Sequence, residues 1–218
     1  MVMQTEMTLL DDRPRLRGRL HLAAAVVSVA GLVWLVRSAA STEARVAAWI
    51  YGVAAVLLYL TSSTYHVFAR TPRARRIMQR ADHSMIYVLI AGTFTPVCML
   101  AVNGAYRWVV LAAMWGGALA GVVIKVGFFD RFRKLGGALY IILGWAGIAV
   151  LPSLVDRPGL LMGILAAGVL YTGGAILFSL GKPMLSPRWF GYHELWHTFG
   201  VAAGGILYFA NLSLVRAG

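Results

Sequence analysis

The chain has 218 residues, of which 60% are apolar and only 13% charged, and its mean hydropathy is +0.74. A soluble domain carries about 25% charged residues, so this composition excludes an ordinary water-soluble protein and indicates a membrane protein. The net charge of +12 does not indicate a nucleic-acid partner, because the basic residues fall between apolar stretches, where membrane topology accounts for them.

Seven apolar stretches follow one another along the chain, each close to the length that crosses a hydrocarbon core of about 30 Å. They cover residues 21–36, 46–68, 83–101, 108–124, 136–155, 159–180 and 191–215. Because lipid offers the backbone no hydrogen-bond partner, such stretches form helices. The sequence therefore predicts an all-α polytopic membrane protein, with a short basic N-terminal segment (residues 1–20) and a single seven-transmembrane-helix bundle (residues 21–218).

The lysine and arginine residues predict the orientation of this bundle. Of the 20, 15 lie in the N-terminal segment and in the second, fourth and sixth connections. By the positive-inside rule, the N-terminus is cytoplasmic and the C-terminus lies outside. The first stretch is followed by the small-residue run SAAS, as in a cleavable signal peptide, but Arg37 directly after the apolar core favours a retained helix. We expect a multi-pass protein of a bacterial cytoplasmic membrane.

Polar residues gather at the predicted cytoplasmic ends of three helices. The second stretch ends in TSSTYHVF, which places His66 near the membrane surface and Ser62 one turn earlier. The third begins beside Asp82, and the first two turns of the seventh contain His193 and His197. With this topology, the three histidines and the carboxylate lie at one membrane depth. Ionisable groups inside a membrane are costly and are most often functional.

The spacing of these residues predicts a metal site. His193 and His197 are four residues apart, so both rings project from one helix face and can approach one ion. With His66 they form a three-histidine set that leaves a fourth position for water, the pattern of a catalytic zinc site. Copper, nickel and iron also accept imidazole, but we choose Zn²⁺. Asp82 and Ser62 are the predicted catalytic residues, with Asp82 orienting the water or accepting its proton.

Three nearby polar residues receive a different interpretation. HELWH matches H-E-x-x-H, in which the glutamate is the general base of a metalloprotease. We expect Glu194 instead to point toward the lipid head groups. Its negative charge would interact favourably there with the positive end of the helix dipole. We interpret His21 and His83, each at a predicted helix boundary, as interfacial.

Three motifs, SSTYH, DHSMIYVLIAGTFTP and GYHELWH, together resemble the hemolysin III family. This is the bacterial branch of the group that contains the adiponectin and progestin receptors, and the likeness covers nearly the whole chain. The resemblance implies a seven-helix bundle with the N-terminus inside and zinc held by His66, His193 and His197. It also implies that Asp82 and Ser62 lie near the metal water. Some members of the wider group are thought to hydrolyse ceramide-like amides.

The function that we favour is zinc-dependent hydrolysis of an amide or ester bond of a membrane lipid, with a role in membrane-lipid homeostasis. A metal-activated water attacks carbonyl groups of this kind. Three alternatives remain: a receptor-like sensor with structural zinc, a pore-forming cytolysin and an intramembrane metalloprotease. A pore requires a continuous polar stripe, whereas the polar residues here concentrate near one end of the helices.

Overall fold

The protein is described by a computed structural model that covers residues 14–218, with the side chains at positions 133 and 134 left out. The first 13 residues of the predicted basic N-terminal segment lie outside the described residues. Seven helical rods follow in chain order, two of them extended by a short helix of another type. They are α1 (Arg19–Arg37), α2 (Thr42–Ser63) with a π-helical turn (Thr64–Phe68), α3 (Pro72–Ala101), α4 (Tyr106–Gly127), α5 (Arg133–Ala146) with a 3₁₀ segment (Gly147–Leu154), α6 (Pro158–Leu180) and α7 (Tyr192–Ala217).

All seven rods are long and apolar enough to cross a membrane. Their outward faces carry large apolar side chains, as a lipid environment requires, including Val26, Trp108, Leu119, Met162 and Phe209. The predicted seven-span, all-α fold is confirmed over the described residues. Short connections join successive helices, so α1, α3, α5 and α7 begin at one end of the bundle, where α2, α4 and α6 finish. We call this the histidine end.

Helix α3 is central to the bundle, since it packs against α2 and α4 along its length and also contacts α7. Helix α7 packs mainly against α6 and touches α1, α2 and α3. One apolar core lies between α3, α4 and the neighbouring rods around Tyr87, Phe94 and Met114, and a second lies between α1, α2 and α3 around Leu35 and Tyr51. The histidine ends of α1, α2, α3 and α7 are therefore brought side by side.

The third helix begins earlier than the sequence predicted. We expected it to begin near Asp82, with the apolar stretch from residue 83, whereas α3 begins at Pro72, and the Thr71 side chain accepts a hydrogen bond from the Ala74 N–H. The arginine-rich stretch before residue 83 is not a loop, because Arg, Ala, Met and Gln are good helix formers and Pro is favoured in the first turn. Asp82 consequently lies about 15 Å along α3 rather than at its first residue.

Candidate metal centre

The three predicted ligands meet at the histidine end. One nitrogen from each of His66, His193 and His197 lies within 4.8 Å of the other two. The closest pair is His66 Nε2 and His193 Nε2, at 3.2 Å. The side chains are partly or fully buried among helices, and His193 also packs its ring against Phe178 of α6. The i, i+4 pair on α7 and the histidine from α2 thus face one small space.

The π-helical turn aims His66 at this space. A Thr64 carbonyl accepts the Ala69 N–H at 3.0 Å, an i to i+5 hydrogen bond that widens the last turn of α2. Gly18, with φ +76°, runs against this turn so closely that a Cβ atom there would lie 2.5 Å from the His66 Cβ. Short π-helical turns often occur at functional sites, because they change the direction of side chains without ending the helix.

Asp82 lies beside His66, and Ser62 lies beside Asp82 on the neighbouring helix. Asp82 Oδ2 is 3.8 Å from His66 Nε2, the same ring nitrogen that faces His193. The carboxylate therefore approaches the inner side of His66 rather than the back of its ring. Ser62, 2% exposed on α2, is a hydrogen-bonding neighbour of the Asp82 carboxyl group. Two helices thus bring a carboxylate and a hydroxyl group close to the ring of His66.

The donor set and its spacing fit zinc. Two nitrogens that each lie about 2.0 to 2.1 Å from a tetrahedral zinc ion are about 3.3 to 3.4 Å apart, close to the 3.2 Å between His66 and His193. An ion held by three imidazole ligands would keep one coordination position for a non-protein ligand. The Asp82 carboxylate lies 3.8 Å from one of the imidazole nitrogens. His66, His193 and His197 are the residues able to hold the ion.

Comparison with known proteins places the chain in a family. The family model described as "Haemolysin-III related" matches residues 11–208, which is most of the sequence. The chain belongs to this family. Its members include Hemolysin-3 of Bacillus cereus, which is 34% identical over 203 residues that cover 89% of this chain and 88% of the relative. The resemblance drawn from the three sequence motifs is confirmed, and with it a multi-pass membrane protein.

Further relatives extend the likeness beyond one species. The Hemolysin-3 homolog of Bacillus subtilis (strain 168) is 32% identical over 197 residues, covering 88% of this chain and 89% of the relative. The human Monocyte to macrophage differentiation factor is 23% identical over 198 residues, covering 87% and 79% respectively.

In this haemolysin-III related chain, the orientation that we expected for the Glu194 side chain is wrong. Its side chain is only 3% exposed and forms an ion pair with the Arg17 guanidinium, instead of pointing toward lipid head groups. Its second oxygen accepts the Gly191 N–H at 2.8 Å. Glu194 does lie in the first turn of α7, so the expected interaction with the positive helix end is retained. In the sequence, Arg17 indicates only the orientation of the bundle in the membrane and not its pairing with Glu194.

The interpretation of His21 as an interfacial residue is also wrong. His21 is 7% exposed, and its ring stacks on that of His197 with centroids 3.8 Å apart and planes 9° from parallel. His83 lies inside α3 rather than at its start and packs against the Phe129 ring. A signal for His21 was available, since it is the third residue of α1, at the same depth as His193 on α7.

A short backbone strap covers the histidine end. Residues 14–18, which we call the N-terminal strap, run beside the loop that precedes α7. The Arg15 N–H donates to the Arg188 carbonyl at 3.0 Å, and the Leu16 N–H donates to the Trp189 carbonyl at 3.4 Å. Together with the buried ion pair, these contacts join the beginning of the described chain to the start of its last helix, directly over the histidines.

Proposed function

We propose that this chain is a zinc-dependent hydrolase that acts on an amide or ester bond of a membrane lipid. The observation that carries the proposal is the meeting of three histidine nitrogens within 4.8 Å, with the Asp82 carboxylate 3.8 Å from one of them. Zinc bound by three protein ligands acts as a Lewis acid toward a carbonyl group and activates water. A site inside a membrane-spanning bundle favours a substrate that already resides in the membrane.

The protein side chains have separate roles in this proposal. His66, His193 and His197 hold the ion through neutral ring nitrogens. Asp82 accepts a proton at Oδ2 from the water that attacks the carbonyl group, and Ser62 keeps the carboxylate turned toward the centre through their hydrogen bond. A positioned proton acceptor of this type contributes typically 10²- to 10⁴-fold to a rate.

The protease alternative requires Glu194 as the general base. Both of its carboxylate oxygens are already engaged, one by Arg17 and the other by the Gly191 N–H. Among the described residues, no arginine or lysine forms an ion pair with Asp82, which lies beside His66. The arrangement therefore supports Asp82 as the proton acceptor and disfavours an H-E-x-x-H protease.

Metal analysis tests the first half of the proposal. We expect about one zinc per chain in the purified wild-type protein and a clear loss of zinc in His66→Ala, His193→Ala and His197→Ala, because each variant removes one of three ligands. Cys98→Ala is a matched control, since Cys98 is buried in the apolar core away from the centre. Undiminished zinc in all three histidine variants would contradict the assignment.

Hydrolysis assays test the second half. Asp82→Asn should retain zinc but lose about 10²-fold or more of any activity on a ceramide-like amide, because a neutral amide cannot accept the proton. The assay should be paired with a comparison of membrane lipids in cells that express wild type or Asp82→Asn. If zinc is retained and no lipid class differs between the two strains, a sensor with structural zinc is the better description.

A further inference from the structure

His21 is a fourth histidine at the proposed centre, and it lies outside the ligand set. Its ring is held between two others, with the parallel His197 ring on one side and the Tyr59 ring edge-on at 5.2 Å on the other. The group of nitrogens that lie mutually within 4.8 Å contains His66, His193 and His197 but not His21. His21 therefore stands beside the centre.

Both nitrogens of His21 are buried without a hydrogen bond. Neither Nδ1 nor Nε2 has a partner among the described residues, and the whole side chain is more than nine-tenths buried. An imidazole always carries at least one N–H donor, so at least one donor is left unsatisfied. Buried polar groups in proteins are almost always paired, because burial without a partner destabilises the fold.

Ring packing alone does not account for a histidine here. A phenylalanine would stack against His197 and Tyr59 equally well and would leave no buried donor. The polar ring instead suits a position where a hydrogen-bond partner arrives from outside the protein. Such a partner must carry an acceptor atom, and it must reach a position beside His197.

We infer that His21 is a substrate-binding residue that donates a hydrogen bond to the carbonyl oxygen of a lipid amide or ester entering the centre. The inference rests on the proposed function and adds to it the residue that recognises the carbonyl group. His21 holds the acceptor oxygen next to the three histidines, while the ring stack keeps the His197 imidazole in its orientation. Arg17, another hydrogen-bond donor near the histidines, is already paired with Glu194.

The test compares His21→Phe with wild type in the full-length protein. Phenylalanine keeps a flat ring against His197 and removes both nitrogens, so zinc content and the visible spectrum of the Co²⁺-substituted protein should stay unchanged. The probe is octanohydroxamate, an amphiphilic amide analogue whose carbonyl oxygen is an acceptor, titrated against the Co²⁺ spectrum. We expect its affinity to fall roughly two- to tenfold in His21→Phe, the range for one hydrogen bond.

Amide side chains provide a rescue. His21→Asn and His21→Gln return an N–H near the place of Nδ1 and of Nε2 respectively, and one of the two should recover part of the probe affinity that His21→Phe loses. His21→Ala removes the ring as well and should also disturb the Co²⁺ spectrum, because the His197 ring loses its stacking partner.

Three results would overturn parts of this account in different ways. Equal probe affinity in Co²⁺-substituted wild type and His21→Phe would show that His21 only packs, or that water alone satisfies it, and would contradict the inference while leaving the proposed function intact. Loss of zinc from His21→Phe would make His21 a metal ligand. Absence of zinc from the wild type would contradict the proposed function itself, before any variant is compared.

Discussion

Gly18 is the residue on which the position of His66 depends most directly. Its φ of +76° lies in the left-handed region, and its backbone touches the π-helical turn at His66 and Val67. An alanine here would meet the backbone cost of a left-handed residue, about 1 to 2 kcal/mol, and would also press its Cβ against the His66 Cβ. No flexible side-chain end is available to give way.

We predict that Gly18→Ala weakens zinc binding by displacing His66. Gly104 provides a matched control, because its φ of +66° imposes the same backbone cost, while an added Cβ would have no described atom within 4 Å apart from the adjoining residues. Zinc retained after dialysis against a chelator should fall for Gly18→Ala and remain at the wild-type level for Gly104→Ala. Equal zinc in the two variants would mean that the close approach does not position His66.

The single-residue predictions differ in outcome for a physical reason. His193 and His197 were placed together because the i, i+4 spacing fixes their shared face, and His66 followed from membrane depth. Depth gives the level of a residue in the bilayer but not the direction of its side chain. For that reason we expected Glu194 to face the head groups and His21 to lie at the interface. Instead, Arg17 of the strap pairs with Glu194 and His197 of α7 stacks on His21, so both side chains are buried.

Helix α4 meets α3 through a glycine. At Gly121, an added Cβ would lie 2.4 to 2.5 Å from ring atoms of Tyr87, whose hydroxyl donates to the Gly136 carbonyl at 2.7 Å and so fixes the ring. Small residues at such positions let helix backbones approach closely in membranes. Gly121 is the last residue of GALAG (residues 117–121), which has the G-x-x-x-G spacing of closely packed membrane helices. Here this spacing serves a contact between two helices of the same chain.

We predict that Gly121→Ala lowers stability by about 1 to 3 kcal/mol, the usual cost of overpacking. Gly116→Ala, on the same helix, adds a methyl group that would have no atom of another described element within 4 Å, and should be neutral or slightly stabilising. Thermal unfolding midpoints in detergent should therefore fall for the first variant only. A similar decrease for both would attribute the effect to the helix backbone instead of the Tyr87 contact.

At the element scale, the sequence predicted seven helices in the right order because apolar length is a strong signal. Helix ends were harder to predict, as α3 demonstrates. Its polar first turns resemble a loop by hydropathy, although Thr71 and Pro72 are typical starting residues of a helix. The π-helical turn at the end of α2 could not be predicted, because it arises from packing against Gly18 and the strap.

For the whole molecule, the orientation in the membrane remains a prediction. Most basic residues lie at the histidine end, which the positive-inside rule assigns to the cytoplasm. Single-cysteine labelling in a Cys98→Ala background tests it. In intact cells a membrane-impermeant maleimide should label Asn103→Cys, exposed at the opposite end, whereas Arg73→Cys should react only after lysis. The reverse pattern would invert the bundle.

The pairing of Arg17 with Glu194 has a consequence for the order of events during synthesis. The two residues are 177 positions apart, so at about 5 to 20 residues per second the strap waits on the order of 10 to 30 seconds for its partner to leave the ribosome. Until α7 is made, the nascent chain offers only His66 of the three proposed ligands. A lone imidazole does not make a zinc site. For a chain that binds zinc as proposed, we expect metal capture to wait until the last helix has entered the bilayer, when the strap closes over all three histidines.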